Sequence, residues 1–248
     1  SPLFLLQATI NVFNLAIAQT SSSGTQQVYS CRNLGDLGSE SLRQQRNSLL
    51  DSLTSQLGER YTGYIHTRST KNKSGEQVHA IVLCPPGIQA EDCGRCVKKT
   101  IPYLLQNCRN QKDGVGWTTL SNYINCMVRY ADSDVEAKYE FWGSGTFSSL
   151  DASAPPADLS PAVLKLGKEL AGKIGSDASQ KYASGKSIYG SDKRNIYMAS
   201  QCTPDLSAEN CQLCLNRVAS ALENLTKLGK VRGTALSINC YTRYDHDP

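Results

Sequence analysis

At 248 residues the chain has room for two ordinary domains, and ten cysteines against three histidines fit an oxidising compartment better than the cytosol. The formal charge of +4 is spread without basic runs or basic stretches interleaved with aromatics, which argues against nucleic acid as a partner. No stretch of 18 uninterrupted apolar residues occurs, so no transmembrane helix is expected within it.

Residues 1–18 read as a secretory signal peptide or a retained apolar arm, with apolar runs at Leu3 to Leu6 and Ile10 to Ala18 and a small-residue Ala16-Ile17-Ala18 before Gln19. Membrane association is expected only if that segment is retained or if a helix follows Pro248. After a polar stretch, Val28 to Cys31 reads as an entering strand. Ser39 to Arg60 places Leu42, Leu49, Leu50, Leu53 and Leu57 on one helical face, with Ser39 or Ser41 as cap. Tyr61 to Ser69 and Gln77 to Cys84 alternate as a hairpin across the turn Lys71 to Gly75. A second helix is expected from Ala90 to Asn107, kinked or shortened at Pro102. Tyr123 to Tyr130 closes the unit as a strand.

Residues 136–157 read as a linker, although Tyr139, Phe141, Trp142 and Phe147 are large for a free tether and are expected in part to pack between the flanking units. Leu159 to Ile174, Asn195 to Cys202, Cys211 to Leu225 and Ala235 to Tyr244 then replay helix, strand, helix and strand. The replay is a duplication. Cys84, Cys93 and Cys96 return 118 residues later as Cys202, Cys211 and Cys214, with Pro86 and Pro204 two places after the first cysteine. Ile124-Asn125-Cys126-Met127-Val128-Arg129-Tyr130 is echoed by Ile238-Asn239-Cys240-Tyr241-Thr242-Arg243-Tyr244. The fold expected is α+β: residues 26–135 and 158–248 as two similar repeats, each an antiparallel sheet packed with two helices and stapled by disulfides.

The duplication also sorts the cysteines. Thr226 stands at the place of Cys108, and the place of Cys31 falls near Ser149, so both positions are empty together and Cys31 is paired with Cys108. A Cys93–Cys96 bridge would be confined to one helical turn. Cys84 with Cys93 and Cys96 with Cys126 are favoured because they tie hairpin to helix and helix to closing strand. Cys202 with Cys211 and Cys214 with Cys240 follow by repetition. With one bridge fewer, the second repeat is expected to be the weaker.

The twice-repeated C-x8-C-x2-C spacing with its flanking cysteines and closing strand resembles the plant ginkbilobin-homologous repeat, also called the stress-antifungal or cysteine-rich repeat domain, over roughly Gln26 to His246. The pairing in that family agrees with the one above. The resemblance implies an apoplastic, secreted protein, or the ectodomain of a cysteine-rich receptor-like kinase or plasmodesmata-located protein. It also implies a mannose site like that of the ginkbilobin-type lectin: an Asn after the first cysteine, an Arg six places before the last and a Glu five places after it. Those places hold Arg32, Leu120 and Ala131 in the first repeat, and Thr234 and Asp245 in the second, so only Asp245 is a near match.

The shared Arg129 and Arg243 join Asp245 as the ligand-binding expectation, with a solvated sheet face as the plainer account of the arginines. His66, His79 and His246 have no nucleophile motif nearby and read as ordinary surface or core residues; Gly185-Lys186-Ser187 lacks the earlier glycine of a phosphate loop. The cysteines are expected neither as a redox pair nor as a zinc site, so no cofactor and no metal are foreseen. Asn72 and Asn224 begin glycosylation sequons. The function expected is a non-enzymatic extracellular recognition or defence module whose partner is an extracellular protein or a cell-wall glycan. The alternatives are a mannose-type, carbohydrate-binding antifungal lectin and a receptor ectodomain; self-assembly through the apolar arm is a further expectation.

Overall fold

A computed structural model describes residues 19–20, 25–58, 62–120, 125–148 and 154–246; the apolar segment 1–18 lies outside these. The described part of the first repeat runs β1 (Gln19–Thr20), β2 (Gln26–Asp36), α1 (Glu40–Gln56), β3 (Tyr64–Arg68), β4 (His79–Leu83), α2 (Ala90–Asn107), β5 (Gln111–Thr119) and β6 (Asn125–Ala131). The second runs β7 (Ser144–Ser148), α3 (Pro156–Gly175), β8 (Tyr182–Tyr189), β9 (Arg194–Cys202), α4 (Ala208–Lys227), β10 (Gly233–Ser237) and β11 (Cys240–Asp245). The sheets are ordered β1-β2-β5-β6-β4-β3 and β7-β10-β11-β9-β8. Apart from the two-residue β1, the orders match strand for strand, and every pairing is antiparallel.

Local chemistry sets the helix ends. The Ser39 hydroxyl accepts from the Leu42 amide at 3.1 Å to cap α1, and Ser207 accepts from Asn210 at 3.2 Å to cap α4. Pro156 opens α3, its fixed φ suited to a first turn. α2 runs unbroken through Pro102, contrary to the expected kink or shortening. Pro102 lies on the exposed face, as does Lys98, whose carbonyl loses its donor and is left to solvent.

The strands depart further from expectation. β5 and β8 were not foreseen, the last strand is a hairpin of β10 and β11 broken at Ile238-Asn239, and β7 forms inside the stretch read as linker. By its place in the sheet β7 is the second repeat's counterpart of β2.

The layers are helices, sheet, sheet, helices. One face of the first sheet buries Leu50, Leu53, Val97, Leu104, Val128 and Tyr130 with α1 and α2. One face of the second buries Val163, Leu170, Ile196, Leu215 and Tyr244 with α3 and α4. The other faces meet in a seam of Val28, Ile81, Trp117 and Met127 against Phe147, Leu236, Ile238 and Tyr241. The connector aromatics divide as expected: Phe147 is buried in the seam and Trp142 packs against it, while Tyr139 lies on the second core and Phe141 is partly exposed, 4.6 Å from the Arg217 guanidinium.

Five disulfides form, Cys31–Cys108, Cys84–Cys93, Cys96–Cys126, Cys202–Cys211 and Cys214–Cys240, the same pairs read from the duplication, and none of the cysteines is free. Register locates the missing third bridge of the second repeat. Cys31 stands across from Gly114 and Gly114 from Tyr130; Ser148 stands across from Gly233 and Gly233 from Tyr244. The structural place of Cys31 is therefore Ser148, one residue from the sequence count; Ser149 is not among the described residues. A Cβ on Gly114 would meet Cys108 at 3.0 Å and Tyr130 at 3.1 Å, and one on Gly233 would meet Leu225 and Tyr244, each at 2.7 Å. Both glycines are required by close approach, and Leu225 fills the space that a disulfide takes in the first repeat. Thr226 is buried beside it and its hydroxyl donates to Ser160 at 3.0 Å, tying α4 to α3.

Candidate functional site

On β6 the side chains alternate: Cys126, Val128 and Tyr130 face the helices, while Met127, Arg129 and Ala131 face the seam. Arg129 is thus 0 % exposed, and its expected place on a solvated sheet face is corrected, because the second sheet and the connector cover that face. Its guanidinium donates to Asp113 through Nε at 3.1 Å and Nη2 at 2.7 Å, and to Glu140 at 2.6 Å. Glu140 also accepts from Arg32 at 2.5 Å. The Trp142 ring lies 5.3 Å from the Arg129 guanidinium and 5.7 Å from that of Arg32. Burial pushes the Glu140 carboxyl up, but the hydrogen bonds and charges of Arg129 and Arg32 outweigh it and hold the group below its ordinary value. For Asp113 burial wins over the same arginine, and its carboxyl is raised.

The connector is fastened to the second repeat as well. The Asn239 side chain, in the β10–β11 turn and fully buried, accepts from the Glu140 amide at 3.0 Å and donates to the Lys138 carbonyl at 3.2 Å. The Ala137 amide donates to Asp205 at 2.7 Å.

Arg243, the counterpart of Arg129, meets a different neighbour. It donates to Asp245 at 3.0 Å, and Arg232 donates to the other oxygen of the same carboxylate at 2.8 Å. Both oxygens of Asp245 therefore already accept from guanidinium groups.

The lectin positions fare unevenly. Arg32 and Ala131 flank Asp113 in one row across β2, β5 and β6, but Arg32 is committed to Glu140 and Ala131 is buried. Leu120 packs against the first core, and Thr234 lies buried on β10. The arginines that meet Asp245 are Arg243 and Arg232, and counting six places back from Cys240 finds neither. β5 ends at Thr119 and β6 begins at Asn125, whereas β10 ends at Ser237 and β11 begins at Cys240, so one count back from the last cysteine lands at different places in the two repeats.

The other singled-out residues are placed as follows. His66 and His79, read separately, stand together on β3 and β4 beside Asp134; burial pushes the His79 imidazole below its ordinary value, with Asp134 opposing. His246 lies 3.4 Å from Asp245. Gly185-Lys186-Ser187 lies in edge strand β8, not in a loop. Asn72 sits in the β3–β4 turn, accepting from the Ser74 and Glu76 amides at 2.9 Å. Asn224 is exposed on α4, while the threonine of its sequon, Thr226, is buried. No helix among the described residues is long and apolar enough to cross a membrane.

Fold, bridges and seam define a tandem of cysteine-rich α+β repeats stacked sheet to sheet. The family model described as salt stress response/antifungal matches residues 18–133 and 156–247. The chain belongs to that family. It is 29% identical to cysteine-rich repeat secretory protein 38 of Arabidopsis thaliana, covering 81% of this chain and 77% of that one. It is 30% identical to cysteine-rich receptor-like protein kinase 11 of the same plant over 80% of this chain, but spans only 29% of the kinase. Among solved structures, the tandem DUF26 ectodomain of the Arabidopsis thaliana cysteine-rich receptor-like protein PDLP8 aligns over 88% of this chain and 96% of its own, with a TM-score of 0.63 at 19% identity. That of PDLP5 aligns over 88% and 97%, with a TM-score of 0.59 at 20% identity. The fold is therefore that of tandem DUF26 ectodomains.

Proposed function

We propose that the protein is a non-enzymatic extracellular recognition module acting in plant defence, with an extracellular protein as its partner. The observation that carries this reading is the fate of the motif the two repeats share. Arg129 is consumed in joining sheet, connector and seam, and Arg243 in holding Asp245, so the polar residues that recur organise a rigid two-repeat block rather than an open reaction centre. The cysteines, all bridged, supply no thiolate nucleophile or redox pair. Recognition then falls to the outer helices, edge strands and loops, which the bridges hold in place. A mannose-type, antifungal lectin is the second reading, for which the adjacent Arg232, Asp245 and Arg243 make one polar cluster at an end of the second sheet, where a sugar would have to compete with the ion pairs already formed. A receptor or plasmodesmal ectodomain would use the same block as its extracellular part.

The test pairs a binding screen of the purified chain against plant extracellular receptor domains with a glycan array read with and without free mannose. Saturable binding to a protein domain that free sugars leave unchanged supports the recognition module. Binding only to glycans, abolished by mannose and by Asp245→Asn, replaces it with the lectin.

A further inference from the structure

The β3–β4 hairpin brings two histidines to one face. Arg68 pairs with His79 and His66 with Ile81 across the two strands, so His66 and His79 are diagonal neighbours on the side that meets the connector. His66 Nε2 and His79 Nδ1 are 3.4 Å apart, with the rings nearly parallel at 14°. Asp134, from the connector, places Oδ1 3.7 Å from His79 Nδ1. One donor atom from each of the three residues falls within 4.8 Å of the others. Donors held about 2.0–2.2 Å from a tetrahedral ion stand about 3.3–3.6 Å apart, so the two histidine nitrogens already have that spacing and the carboxylate, within 4.8 Å of both, has to close on them.

The surroundings prepare this geometry. Asp134 Oδ1 also accepts from the Glu136 amide at 3.0 Å, and Lys138 Nζ donates to the Asp134 carbonyl at 2.7 Å, which together fix the turn that presents the carboxylate. Glu136 Oε2 lies 3.6 Å from His66 Nδ1, the nitrogen away from His79. A carboxylate on the far nitrogen of a ligating histidine selects its tautomer and orients the ring in metal sites. His79 is nearly sealed at 4 % side-chain exposure and Asp134 is open at 56 %, so the cluster has a buried floor and a solvent-facing side, the arrangement of an ion held by three protein ligands with one direction open.

We infer that His66, His79 and Asp134 form a site for one divalent transition-metal ion of the zinc type, with Glu136 as a positioning residue acting through His66. Two imidazoles and a carboxylate suit such an ion better than calcium or magnesium, which take oxygen ligands. Because the histidines belong to the first sheet and the carboxylates to the connector, the ion would clasp one to the other.

The test is calorimetric titration of the purified full chain with zinc chloride, with cobalt(II) absorption as a second readout of tetrahedral coordination. One ion per chain is expected, with a rise in melting temperature. His66→Gln is expected to abolish binding, and Asp134→Asn, at an exposed residue whose remaining oxygen can still accept from the Glu136 amide, to weaken it at least about tenfold. Glu136→Gln, which leaves the three ligands intact, is expected to weaken it by about tenfold and to be less severe than loss of a ligand. His246→Gln should leave it unchanged. The inference is overturned if no saturable uptake occurs at millimolar zinc, in which case a proton shared between the rings accounts for their spacing. It is equally overturned if uptake survives Asp134→Asn and His66→Gln, or is removed by His246→Gln.

Discussion

The first and second repeats share a strand order, a pair of helices and an Arg-Tyr pair in the closing strand, yet they are held together differently. Tyr130 and Tyr244 do the same work, each hydroxyl donating to a carbonyl beyond the preceding helix, to Cys108 at 2.6 Å and to Lys230 at 2.7 Å. The arginines one position earlier do not. Arg129 is sealed because the connector returns over it with Glu140 and Trp142; Arg243 keeps partial contact with solvent and finds its carboxylate two residues away. Where the first repeat has Cys31–Cys108, the second packs Leu225 against Gly233. A duplicated motif fixes the backbone in both copies, and the neighbours that each copy meets decide what its polar side chain does.

The sharpest way to break this comparison is to remove the additional bridge. Replacing Cys31 and Cys108 together by serine releases a loop closed across 77 residues and is expected to cost about 4 kcal/mol in denaturant unfolding, erasing the first repeat's advantage. A loss below about 1 kcal/mol would show that packing, not the bridge, carries the difference. Next come the paired arginines. Arg129→Ala removes both hydrogen bonds to the buried Asp113 and leaves it only the longer 3.9 Å contact with Arg32, and is expected to cost about 3 kcal/mol; Arg243→Ala, whose carboxylate keeps the 2.8 Å bond from Arg232, should cost about 1 kcal/mol. Equal shifts in the unfolding midpoint would refute the asymmetry.

The smallest effect is a pH dependence. The folded value of Glu140 is depressed, so its contribution is complete above the unfolded value of about 4.3 and is lost as pH falls through the folded one. Asp113, raised by burial, runs the other way, and Glu140→Gln isolates the glutamate. Both tryptophans of the chain, Trp117 and Trp142, lie at the seam, so intrinsic fluorescence reports its opening. The native chain is expected to change emission on acidification below about pH 4, and Glu140→Gln to lose that component.

The helices and bridges were legible in the sequence because they carry their own signals. Leu42, Leu49, Leu50 and Leu53 repeat at helical spacing, Ser39 caps them, and two cysteine positions vanish together from one copy. The missed strands carry weak ones. β5, QKDGVGWTT, is rich in glycine and polar residues, and Gly114 is there because Cys108 and Tyr130 press against its backbone, which no local pattern announces. β7 lies in a Gly/Ser stretch that reads as linker, and its pairing with β10 closes over a long loop. Arg129 was misplaced for a related reason. Strand alternation shows that it faces away from the helices, but whether that face is wet depends on the second sheet stacking there. The histidine cluster was hidden likewise, since His66, His79 and Asp134 meet only once the hairpin and the connector have folded together.

Every one of the bridges begins and ends within a single repeat, so the seam between the sheets is crossed by no covalent link other than the chain itself. The two sheets can therefore part without breaking a disulfide and meet again without any thiol chemistry.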